Sequence, residues 1–212
     1  MNDADNGHDE ASESGSEPLS YGSYLNVPEL LELQELESDP PAHDELLFII
    51  IHQAYELWFK LILFELDDVQ ELLVEGNLSE SRRLLERVIA IEQLLVQQIH
   101  LLETMTPRDF LRFRSALKPA SGFQSAQFRE VEFMSGMKEG GEVMKNMQML
   151  EEERERLQKR LDEPSLRTNF YRMLRDRGHD VAIPDDETEL DDDQRRRTLE
   201  SLRKIYAAPE DH

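Results

Sequence analysis

Apolar residues recur at helical spacing along most of the chain, and no stretch alternates apolar with polar as a half-buried strand requires. The longest apolar run is HDELLFIIIHQAYELWFKLILFEL, His43 to Leu66. Pro40 and Pro41 stop whatever precedes it, and Asp44 and Glu45 place negative charge where a helix N-terminus is electropositive. Phe48, Ile51, Tyr55, Phe59 and Ile62 form one stripe, and Leu47, Ile50, Leu57, Leu61 and Phe64 cover a second face. A helix apolar on nearly every side belongs inside a bundle. His52 shares the first stripe one turn after Phe48, and Glu56 lies one turn beyond it.

The remaining pattern predicts more helices. Val74 to Leu78 reads as a turn, after which Ser79 can cap a second long helix to about Met105, striped with Leu84, Val88, Ile91 and Leu95. At the next start Thr106 caps, Pro107 takes the first helical position and Asp109 the third. That helix places Phe110 and Arg114 one turn apart. A further helix is expected from Phe123 to Met137, broken near Gly140, then a charged helix through VMKNMQMLEEERERLQKRLDEP and a short one through PSLRTNFYRMLRDRG. PDDETELDDDQRRR carries no periodicity and reads as a solvated loop before a last helix, SLRKIY. Upstream of the long run, a short helix begins near Pro28, and Tyr21, Tyr24 and Leu25 read as an apolar staple. The expected fold is all-α, a bundle of long antiparallel helices over residues 19–206. An acidic, Ser/Gly-rich tail over 1–18 carries too little apolar surface to order itself, and 207–212 form a second tail.

Composition narrows the chemistry. With 46 acidic against 24 basic residues the net charge is −22, which disfavours nucleic acid and anionic membranes as partners. Only six of the basic residues are Lys, an Arg-for-Lys, acid-loaded balance that resembles proteins of salt-loving organisms, so a halophilic surface is expected. Cysteine is absent, which excludes disulfides, zinc-thiolate sites and covalent c-type haem attachment. With a polar N-terminus and no charge-free run of about 18 apolar residues, a cytoplasmic protein is expected. No histidine has Glu three residues before it, so the carboxylate–histidine pattern of a di-iron bundle is missing.

His52 alone fits two readings: a core histidine bonded to a neighbouring carbonyl or carboxylate, or a polar group orienting a ligand in a pocket beside Phe48. The surrounding sequence separates them. HDELL followed by FIIIHQAYELWFK resembles the signature helix of the tryptophan 2,3-dioxygenases, a family of haem enzymes. KPASGFQSAQFREVEF resembles the family's second signature, in which an Arg precedes a Pro-Ala-Ser-Gly-Phe-Gln turn; here these are Arg114 and Pro119 to Gln124. A guanidinium binds a carboxylate through two parallel hydrogen bonds, and a glycine lets backbone approach a ligand closely beside a helix N-terminus suited to anions.

The resemblance implies a haem b enzyme inserting O2 across the indole C2–C3 bond of L-tryptophan to give N-formylkynurenine. His52 would hydrogen-bond the indole N–H, with Phe48, Ile49, Ile50, Ile51 and Phe110 around the substrate. Arg114 would pair with its carboxylate, and Ser121 and Gly122 would contact haem edge and ammonium. Tyr21, Tyr24 and Leu25 would reach into a neighbouring subunit of a homotetramer. The family's proximal histidine, in a Trp-Arg-x-x-His segment, and its Gly-Thr-Gly-Gly-rich loop have no counterpart in this sequence. The resemblance therefore covers Tyr21 to Tyr206 as the distal part of a longer enzyme, and no metal ligand is assigned. The alternative is a catalytically silent helical module that binds a partner or completes a split enzyme.

Overall fold

The computed structural model describes residues 18–140, 149–183 and 190–207. Most of the expected acidic tail, and residues 208–212 of the terminal one, lie outside them. The chain divides into two compact units, one up to Glu35 and one from Leu36. The first holds α1 (Tyr21–Tyr24) and α2 (Val27–Leu30). Ser20 caps α1 by accepting the Ser23 N–H, and Asn26, at φ 49°, turns the chain into α2.

The second unit holds α3 (Glu45–Glu75), α4 (Leu78–Leu102), α5 (Pro107–Phe113), α6 (Ala126–Ser135), α7 (Glu151–Asp162), α8 (Leu166–Asp176) and α9 (Asp192–Ala207). Short 3-10 turns occupy Gly122–Gln124 and Lys138–Gly140, and no strand occurs among the described residues. The all-α expectation holds. Gly76, at φ 78°, closes the C-terminus of α3, and its N–H meets the carbonyls of Leu72 and Leu73. The cap of α4 is Asn77 rather than Ser79: its side chain accepts the Glu80 N–H at 3.3 Å, because the glycine turn ends two residues earlier than the apolar pattern implied. Thr106 and Pro107 start α5 as expected. With a turn this short, α4 folds back antiparallel along α3. The Tyr55 hydroxyl donates to the Leu95 carbonyl at 2.5 Å near one end, and Glu65 meets Arg87 at 2.5 Å further along.

The core forms on the Ile51–Phe59–Ile62 stripe of α3. Phe59, Ile62, Leu63 and Leu66 pack with Val88, Ile91 and Leu95 of α4 and Met134 of α6. Further along, Val69 and Leu73 pack with Leu84 of α4 and with Met173 and Leu174 of α8. Directional polar contacts fix the register of these apolar faces. Arg160 of α7 grips Asp67 with two bonds at 2.6 and 2.8 Å and also reaches Glu130 of α6, which Arg156 meets at 3.0 Å. Gln70 donates to the Pro164 carbonyl at 3.2 Å, tying in the start of α8.

Two expectations need correction. The second face of α3 is only partly covered by the described residues: Leu61 packs against the core, but Leu57 is 57% and Phe64 62% exposed, and Ile50 is open too. Periodicity marks a face as apolar but says nothing of what lies against it. By length and composition α3 is long and apolar enough to cross a membrane, yet its ion-paired Glu65 and Asp67 and its packing make it the spine of the bundle. In addition, the acidic run before the last helix belongs to that helix from Asp192 onward. Asp191 accepts the Gln194 N–H at 2.8 Å, Asp192 and Asp193 sit in the first turn, and Arg196 and Arg197 pair back to Asp193. An acidic cluster beside a positive helix terminus with Arg three and four residues on stabilises helix rather than loop. Residues 184–189 of that run lie outside the described residues.

At the other end of the spine Glu45 is fully buried, and its carboxylate accepts from the Glu37 N–H at 2.8 Å, the Ser38 N–H at 3.2 Å and the Ser38 hydroxyl. Burial pushes its carboxyl pKa up, but these three donors outweigh burial and the net shift is downward. A lowered folded-state pKa means a stabilising contribution that is complete above the ordinary glutamate range and lost as pH falls through the folded value. Glu45→Ala should cost on the order of 2 kcal/mol in urea unfolding at neutral pH. The variant should also show a shallower loss of stability below about pH 5 than the parent.

Candidate functional site

The signature residues converge where α3, α5 and the turn before α6 meet. The His52 ring stacks obliquely on Phe48, with centroids 4.0 Å apart. Phe48 lies 5.9 Å from Phe110 and 5.5 Å from the fully buried Phe113 of α5. Arg114, the residue closing α5, sets its guanidinium 6.0 Å from the Phe110 ring centre. The spacing that put Phe110 and Arg114 on one face therefore delivers an imidazole, three rings and a guanidinium in a continuous row.

The state of the imidazole follows from one bond. His52 Nδ1 lies 2.7 Å from the Phe48 carbonyl, one turn back in the same helix. A carbonyl only accepts, so Nδ1 carries the hydrogen, and in the neutral ring Nε2 is left as an acceptor. That Nε2 faces the Ser121–Gly122 turn: a methyl built on Gly122 would sit 3.7 Å from it. The turn closes on itself, with Ser121 Oγ accepting the Phe123 N–H, the Gln124 side chain accepting the Ser121 N–H at 2.9 Å, and Ser125 capping α6.

Between this turn and α3 and α4 lies a cavity of about 750 Å³, within the range of small-molecule sites. Of the site residues the sequence singled out, His52, Ser121 and Gly122 line it, whereas Phe48, Phe110 and Arg114 do not. Ile51 is instead sunk in the core at 4% exposure, Ile50 faces outward and Ile49 is half-buried, and none of the three lines the cavity. Tyr21, Tyr24 and Leu25 belong to the first unit and are exposed there, the two tyrosines by 79% and 68%.

The cavity also uses residues that pattern reading missed. Tyr55 and Glu56 follow His52 by three and four positions, a spacing that could have flagged them, while Gln127 and Phe128 sit inside the second signature. Arg156 reaches the rim from α7, and only the folded chain brings it there. Burial raises the Tyr55 phenol pKa, which keeps it a neutral donor to the Leu95 carbonyl. Among the described residues no cluster of three or more His, Asp or Glu is placed to hold a bare metal ion. Among the described residues His52 is the one histidine on this cavity; His43 and His100 are exposed and paired with Asp44 and Glu103.

Comparison with known proteins agrees with this geometry. The sequence profile of the tryptophan 2,3-dioxygenase family matches residues 2–180. A tryptophan 2,3-dioxygenase of a Nocardioides species is 54% identical over 164 residues, 76% of this chain and 61% of the relative. That of Herpetosiphon aurantiacus is 45% identical over 172 residues, 81% of this chain and 65% of its own. The mouse enzyme is 50% identical over 143 residues, 63% of this chain and 34% of its own. The chain thus spans about three fifths of the length of its bacterial relatives. With both signatures folded into one pocket and the profile covering most of its length, the chain belongs to the tryptophan 2,3-dioxygenase family.

Proposed function

We propose that this chain forms the distal, substrate-holding wall of a haem-dependent dioxygenase that converts L-tryptophan and O2 to N-formylkynurenine. The observation that carries the reading is the tautomer of His52, whose acceptor nitrogen opens onto a glycine-lined cavity of suitable size. An indole N–H is a donor with no lone pair to offer, so a neutral imidazole Nε2 is its natural partner. Phe48 and Phe110 back the His52 ring from outside the cavity lining, and Arg114, beside Phe110, offers a planar cation to a carboxylate on that side. Holding the indole by these contacts fixes which of its bonds meets the oxygen, a gain from orientation rather than from proton transfer.

Haem, when bound, supplies the iron that carries and activates O2. On this chain Ser121 and Gly122 would hold its edge, since the glycine leaves room beside His52. Among the described residues no second histidine lines the cavity. The reading extends to a cytoplasmic homotetramer in which Tyr21, Tyr24 and Leu25 complete a neighbour's pocket. Their exposure and their place in a separate unit support this, and a cysteine-free composition suits a reducing compartment. The acid-rich, Lys-poor surface supports adaptation to high salt.

Adding haem to the protein and recording the Soret band tests the function directly. A histidine-ligated band that L-tryptophan perturbs would support the enzyme reading; no uptake would favour a helical module that acts without haem. In the haem-loaded protein, His52→Ala and Arg114→Ala should each weaken tryptophan binding about tenfold or more, the loss of one hydrogen bond or one charged pair. Gly122→Ala should fold normally, because its methyl meets His52 only at van der Waals distance. It should nonetheless weaken tryptophan binding by occupying the approach to Nε2, a separation that parallel melting and binding titrations would show. Melting temperature should rise with KCl from about 0.1 to 2 M, as screening relieves the repulsion of a −22 chain.

A further inference from the structure

The side chain of Gln127 crosses from the first turn of α6 to α3. It donates to the Glu56 backbone carbonyl at 2.9 Å and to the Glu56 carboxylate at 2.8 Å. A primary amide has two N–H donors, and Glu56 offers an acceptor to each. Both residues line the cavity, and Glu56 stands one turn beyond His52 on α3. Gln127 in turn is joined to Gly122 by a short stretch closed on itself: the Ser125 N–H reaches the Gly122 carbonyl at 3.3 Å, and the Phe128 N–H reaches Ser125 Oγ at 3.1 Å.

The other contacts of the first turn of α6 are apolar, and one turn on Glu130 is held by Arg156 and Arg160 of α7, so Gln127–Glu56 is the direct polar contact of this turn with α3. Phe128 meets Phe59 with ring centres 5.5 Å apart, and Ala126 is buried with Phe133 and Leu157. Apolar contacts favour burial without specifying position along a helix, whereas a pair of hydrogen bonds to one residue fixes that position to a few tenths of an ångström. Where α6 begins along α3 decides how far Gly122 stands from the acceptor nitrogen of His52.

We propose that Gln127 and Glu56 are positioning residues, whose double hydrogen bond sets the gap between the Ser121–Gly122 turn and His52 Nε2, and hence the room left for an indole. The inference rests on the tryptophan reading for its functional half, but its geometric half stands apart from that reading. Gln127→Met keeps the length and apolar bulk of the side chain and removes both donors. Glu56→Gln keeps an acceptor oxygen at the same reach and removes only the charge.

The test uses proton NMR of the chain with labelled His and Gly. The parent should show a cross-relaxation peak between the Gly122 α protons and the His52 ring. Gln127→Met should lose or weaken that peak and speed amide exchange across 121–128, while Glu56→Gln retains both parent features. An undiminished peak in Gln127→Met would overturn the proposal. In the haem-loaded protein Gln127→Met should also raise the tryptophan dissociation constant about tenfold, the scale expected for a small misplacement; parent affinity despite a lost peak would overturn the functional half. Should Gln127→Met not fold, Glu56→Met removes the carboxylate bond alone and must give a smaller weakening of the same peak, with an unchanged peak counting against the proposal. A parent that binds no tryptophan would sink the proposed function, while the peak still decides the geometry.

Discussion

The structure hangs on the need to hold one 31-residue helix against several shorter ones in a single register. Burying the apolar stripe of α3 drives the assembly, but that force is indifferent to sliding. Sliding is prevented by polar residues spaced along the same helix, each facing a different neighbour. Glu45 takes the incoming loop, Glu56 takes α6, Glu65 takes Arg87 of α4, Asp67 takes Arg160 of α7, and Gln70 takes the start of α8. Glu65 and Glu130 are almost fully buried, where an unmatched carboxylate would be costly, so each is met by arginine.

The site grows out of that register. His52 lies between the Glu45 and Glu56 contacts, so the helix segment that carries it is fixed on both sides. The rings of α5 arrive because Phe113 is buried against Phe48. The glycine turn arrives because α6 is held to α3 immediately after it. Each part of the pocket thus comes from a different element, and each is placed by a contact outside the cavity as well as by those inside it.

Much of this was legible in the sequence, for reasons that differ by residue. The start of α5 is written in Thr106, Pro107 and Asp109, a local signal that tertiary packing did not override. The row from His52 through Phe48 to Phe110 and Arg114 was legible because two helical spacings placed its halves. The Gln127–Glu56 contact spans 71 residues, and the spacing that sets Glu56 one turn beyond His52 says nothing of its partner. The start of α9 was hidden because acidic residues look alike in a loop and at a helix terminus until a partner such as Gln194 is seen. The open face of α3 was missed because an apolar pattern records what a residue avoids, not what meets it.

The bond from His52 to the Phe48 carbonyl lies within one helical turn. The ring's orientation is thereby decided by secondary structure, before any neighbouring element docks. Assembly of the pocket then demands no rotation of its central group, only the arrival of walls around a part that is already aimed. The entropy of freezing that ring is lost when α3 folds rather than at each binding event.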